Sequence, residues 1–62
     1  MNIEALYLAI KEDTNKYLEL VELVGSDHPM SKRLCTRIVA MQHAFRLVSG
    51  VSYTNYLLSK LS

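Results

Sequence analysis

From Ile3 to Val24 the chain contains neither glycine nor proline, and bulky residues recur there at alternating spacings of four and three. Ile3, Tyr7, Ile10, Thr14, Tyr17, Val21 and Val24 therefore share one face of a helix. Asn2 is placed to cap it, and Glu4 falls in the first turn, where the helix dipole favours negative charge. Gly25 ends the pattern, and the turn Ser26-Asp27-His28 leads to Pro29. A glycine just past one helix and a proline just inside the next is the expected asymmetry of helix ends.

The second helix is predicted from about Pro29 to Ser49, capped by Asp27 or His28 and ended by Gly50. Its stripe is Met30, Leu34, Ile38, Met41, Phe45 and Val48. Ser52 is placed to cap a short third helix, Tyr53 to Leu61. β-Hairpin signals are absent. At about 1.5 Å per residue both long helices extend ~30 Å, and a short turn between matched helices specifies an antiparallel hairpin. Residues 1–62 thus read as one all-α domain.

A single hairpin does not bury what this sequence offers. The polar arc of the first helix, Glu4, Lys11, Glu12, Asn15, Glu19 and Glu22, covers only about a third of its circumference. Leu6, Ala9, Leu20 and Leu23 widen its apolar face, and Ala40, Ala44 and Leu47 form a second stripe on the second helix. Leu8 and Val39 interrupt the polar faces. Either the third helix folds back over one of these surfaces, or the chain self-associates. A domain of 62 residues buries little core and commonly needs a disulfide, a metal or a partner subunit. One cysteine, Cys35, forms no intrachain disulfide, and no metal-ligand spacing is present. The expected form is a homodimeric four-helix bundle, since two-fold dimers dominate homo-oligomers. Its candidate interface is Leu6, Leu20, Leu23, Ala40, Ala44, Leu47, Tyr53 and Tyr56.

Charge divides by position. All six acids lie in the first 27 residues, and every residue from His28 onward is basic or uncharged. In an antiparallel hairpin Glu19 and Glu22 come near Lys32 and Arg33 across the turn. Each pair sits at the wrong end of its own helix dipole, so pairing would remove the conflict. The alternative is a basic surface for an anionic partner: Lys32, Arg33, Arg37, His43 and Arg46 are candidates to grip phosphate or carboxylate.

The polar run Lys11 to Lys16 separates two apolar ends of the first helix. It reads as a register-fixing polar layer, as a helix break with Asp13 or Thr14 as a new cap, or as a small polar pocket facing the bases of the second helix. Neither His28 nor His43 has a metal partner one turn away, and Cys35 has no base nearby to activate it, so it reads as a small buried residue. The tyrosines read as half-buried core, with interfaces as the alternative.

No stretch matches a family motif. The length and hairpin outline resemble those of small plasmid-type helical-hairpin RNA regulators, which bears on fold and not on function. The expectation is a cytoplasmic, non-enzymatic helical protein without cofactor, metal or membrane anchor. Its partners would be a second copy of itself and a larger protein that it regulates or inhibits, as small phage- or plasmid-borne proteins do. The alternative is an oligomeric module binding a nucleotide or RNA through the bases of the second helix.

Overall fold

The computed structural model describes residues 2–61. It is all-helical, with α1 spanning Ile3–Val24, α2 Pro29–Ser49 and α3 Tyr53–Leu61. The boundaries are those the punctuation dictates. Asn2 Oδ1 accepts from the Glu4 and Ala5 amides at 2.9 and 3.3 Å, satisfying two of the donors that a helix start leaves free. Of the two candidate caps for α2, His28 takes the role: its Nδ1 accepts from the Met30 amide at 3.1 Å. Ser52 Oγ accepts from the Asn55 amide and starts α3.

Gly25 and Gly50 supply the two backbone conformations that other residues resist. Gly25 sits at φ 88°, ψ 161°, a region essentially reserved for glycine, while Gly50 at φ 79°, ψ −1° is left-handed. Space for a Cβ exists at both, so the requirement is conformational and not steric. Ser31, fully buried, ties the first turn by donating from Oγ to the Gly25 carbonyl at 2.7 Å.

α1 stays continuous through the Lys11–Lys16 run, which removes the helix-break reading. Thr14, on the core stripe, turns its hydroxyl back onto the Ile10 carbonyl at 2.8 Å and so needs no partner across the core. α1 and α2 pack together along the hairpin.

The core lies at the open end of the hairpin, away from the Gly25 turn. Tyr7, Ile10, Phe45 and Tyr53 form it, with Ile3, Leu6, Met41, Tyr56 and Leu57 packed around them. Phe45 meets Tyr53 and Tyr56 edge-on, with centroids 6.1 and 5.1 Å apart, and Tyr7 lies 5.6 and 5.0 Å from the same two rings. Such pairs add about 0.5–1.5 kcal/mol each beyond the area they bury. α3 therefore closes the end of its own hairpin. Tyr53 is buried in this core and Tyr56 is half-buried against it, which agrees with the core reading of the two tyrosines.

A second contact fastens α3. The Glu4 carboxylate accepts from Tyr56 Oη at 2.8 Å and from Lys60 Nζ at 2.9 and 3.0 Å, and the ammonium lies over the Tyr7 and Tyr56 rings. The Lys60 and Tyr56 bonds hold the Glu4 pKa below 4.5. The bond to Glu4 raises Lys60 above 10.5 and Tyr56 above 10.0. The depressed carboxylate contributes stability above 4.5 that is lost as pH falls through its folded value. The raised groups contribute below about 10, and that contribution is lost at higher pH. Acidification below 4.5 should loosen α3 before the hairpin melts, read as a change in the near-ultraviolet tyrosine dichroism. Glu4→Gln should abolish that acid transition; a transition unchanged in the variant would show that another group controls it.

The turn end is thinly packed. Val24 and Met30, placed on the core stripes by their spacing, are exposed, as is Val48 at the other end of α2. Cys35 is exposed rather than buried.

Candidate functional site

At about 100° per residue, α1 carries Ala9, Asp13, Leu20 and Leu23 on one flank, and α2 carries Leu34, Arg37, Ala44 and Val48 on the adjoining flank. Two contacts establish that these flanks adjoin. Arg37 Nε lies 3.0 Å from Asp13 Oδ2. Toward the turn, Leu20, Met30 and Leu34 floor a cleft of about 280 Å³ whose rim carries Arg33 and Arg37. α3 is fastened through Glu4 and Tyr7, on the opposite flank of α1, and leaves this one uncovered.

The Asp13 side chain is only 8% exposed, whereas that of Arg37 is 68% exposed. Asp13 Oδ2 is buried without a hydrogen bond. The guanidinium is within ion-pair distance, but its Nε–H is not aligned on the oxygen, so the contact is a charge pairing. It joins two of the sequence readings: a polar layer across the hairpin, and an acid of α1 facing a base of α2.

The expected pairing of Glu19 and Glu22 with Lys32 and Arg33 does not form. Among the described residues the ion pairs are Lys16–Glu12, Arg37–Asp13 and Lys60–Glu4. Glu19 stands half a turn around α1 from Ile10, which faces the core, so it points away from α2. The register of the hairpin brings Glu19 level with Arg33; the helix rotation keeps them apart.

The five candidate bases do not gather. Arg33 and Arg37 border the cleft, while Lys32, His43 and Arg46 lie around α2 on its other side, all exposed. One chain thus offers a two-arginine rim above an apolar floor and a separate scattered set. The proposed interface residues also divide. Leu6 is half-buried against the core, Leu20 is half-buried on the uncovered flank, Ala44 is half-buried at its margin, and Leu23 is 81% exposed beside it. Ala40 and Leu47, the latter 72% exposed, lie on the back of α2. Leu8 and Val39 are exposed, as their place among polar residues implied.

The Glu4–Tyr56–Lys60 cluster was not foreseen. Tyr56 and Lys60 are one turn apart and share a face of α3, but nothing local points from them to Glu4, at the far end of the chain. Among the described residues no group of three or more His, Cys, Asp or Glu side chains is placed to hold a metal ion. No helix of the described residues is long and apolar enough to cross a membrane. No family model, no curated protein and no solved structure matches the chain.

Proposed function

We propose that this chain is a non-enzymatic helical interaction protein that works as a homo-oligomer, in the cytoplasm, and regulates a larger protein by binding it. The observation that carries the reading is the uncovered apolar flank of the hairpin. Leu20, Met30 and Leu34 line a cleft there, Leu23 is exposed near it, and Val48 is exposed at the far end of the same flank. The accessible surface agrees: 4557 Å² for a 7.1 kDa chain, against about 4,100 Å² for a compact monomer of that mass. Contiguous exposed apolar surface of this kind marks interaction sites.

Sedimentation equilibrium at micromolar concentration should give a multiple of the 7.1 kDa chain mass. Ala44→Glu should lower the assembled fraction, because the new carboxylate would be buried without a partner. A folded monomer at every concentration would refute self-association, and unchanged assembly of the variant would remove this flank as the interface. A second reading has its own observation: Arg33 and Arg37 together on the cleft rim suit an amphipathic anion or a phosphate. Calorimetric titration with nucleotides and short RNA tests it, and binding that is real should weaken steeply with salt.

A further inference from the structure

We infer that the uncovered flank is occupied by a second copy of this chain in one specific arrangement: α1 of each protomer lies on α2 of its partner, about a two-fold axis parallel to the hairpin. This rests on the self-association proposed above and adds its geometry.

Charge complementarity selects the arrangement. α2 contains no acidic residue, and its bases Arg33 and Arg37 border the flank. If α2 packed on the partner's α2, these arginines would face only apolar and basic side chains. Arg37 already faces Asp13 of its own chain; an acid for Arg33 becomes available only if α2 lies on the partner's α1. With the axis along the hairpin, each residue meets the partner at the level it already occupies in its own chain. The Asp13–Arg37 contact defines one such level. Glu19 is about 9 Å, and Arg33 about 6 Å, beyond it toward the turn, at ~1.5 Å per residue. The two side chains therefore stand within about 3 Å of one level, on facing edges of different protomers. Within one chain the rotation of α1 keeps them apart; between chains, Arg33 reaches the outer edge that Glu19 occupies.

The apolar pattern sets the register. Leu20, Leu34 and Met30 on the turn side, and Ala44 and Val48 on the other, flank the Asp13–Arg37 contact, while Lys16, paired with Glu12, stands at the margin of the flank on the turn side. A slip of one turn would press Arg37 of one copy against apolar side chains of the other, so the polar layers of both copies must share a level. The size also fits. Two helices of ~10 Å diameter side by side over ~30 Å present roughly 600 Å², near the ~800 Å² per partner of a standard interface.

Heterospecific pairing tests the geometry at low ionic strength, where rim charges are least screened. Glu19→Arg alone sets two arginines together at each symmetric edge, and Arg33→Glu alone sets two glutamates together. Each variant should dimerise roughly tenfold more weakly than the parent, with unchanged helical dichroism because both positions are exposed. Mixing the two variants in equal amounts should restore dimerisation to near the parental level. In the mixed dimer one edge holds the reversed pair and the other the native pair. Sedimentation equilibrium of each protein and of the mixture reads the outcome, and native mass spectrometry identifies the mixed species. If the parent dimerises but mixing restores nothing, the arrangement is wrong while self-association stands. If the parent remains monomeric, both are refuted and the flank belongs to a different partner.

Discussion

Phe45→Ala should leave the chain largely unfolded. Phe45 is fully buried, touches Tyr53 and Tyr56 edge-on, and belongs to the one cluster in which all three helices meet. Truncating a buried phenylalanine costs about 3–5 kcal/mol, the sum of lost transfer energy and the cavity left behind. A single core in a domain this small supplies only about 3–5 kcal/mol in total. The substitution therefore removes an amount comparable with the whole stability. Val39→Ala, on the same helix but exposed on its polar face, is the control and should alter the melt little. Helical dichroism against temperature distinguishes them: a cooperative melt of the Phe45 variant close to that of the parent would contradict the core described above.

The second large effect is expected at the Asp13–Arg37 pair, and its two partners should behave in opposite ways. Arg37→Ala leaves a carboxylate that is nine-tenths buried with no counter-charge, and one of its oxygens has no hydrogen bond. Stranding such a group costs about 1–3 kcal/mol. The loss stays below that of a wholly buried pair because the exposed arginine is already screened by water. Asp13→Leu removes the stranded charge itself. Exchange of a buried ion for an apolar residue is often neutral or stabilising, and the leucine would join Leu20 on the apolar flank. In the Arg37→Ala background Asp13→Leu should recover the lost stability. Urea midpoints of the two single variants and the double variant complete the cycle. A neutral Arg37→Ala together with a destabilising Asp13→Leu would show that Asp13 is held by something other than Arg37. If the pair also fixes register between protomers, Asp13→Leu should broaden the range of assembled species while raising their stability.

The helices themselves were legible residue by residue. Asn2, Gly25, Pro29, Gly50 and Ser52 act within one turn of their own position, through caps and backbone angles that require no knowledge of the rest of the chain. The same holds for the stripe through Tyr7 and Ile10 and for Phe45, because a period of 3.6 is a local property of the sequence. The candidate site was legible only in pieces. Asp13 was marked by its place on an apolar flank, and Arg33 and Arg37 by their four-residue spacing. Which acid would meet which base was not, since an ion pair depends on helix rotation to within tens of degrees. Glu19 shares a level with Arg33 yet points the other way.

Where α3 would settle was likewise a tertiary decision. Its landing on Tyr7 and Phe45 buries Tyr53 and half-buries Tyr56 against the core. The physical reason is that α3 has nine residues, too few to hold a helix by itself. It forms where aromatic packing and the Glu4 carboxylate receive it together. Sequence alone determined three helices, their ends and an excess of apolar surface. The tertiary structure decided which flank α3 covers, and so which flank remains open to a partner.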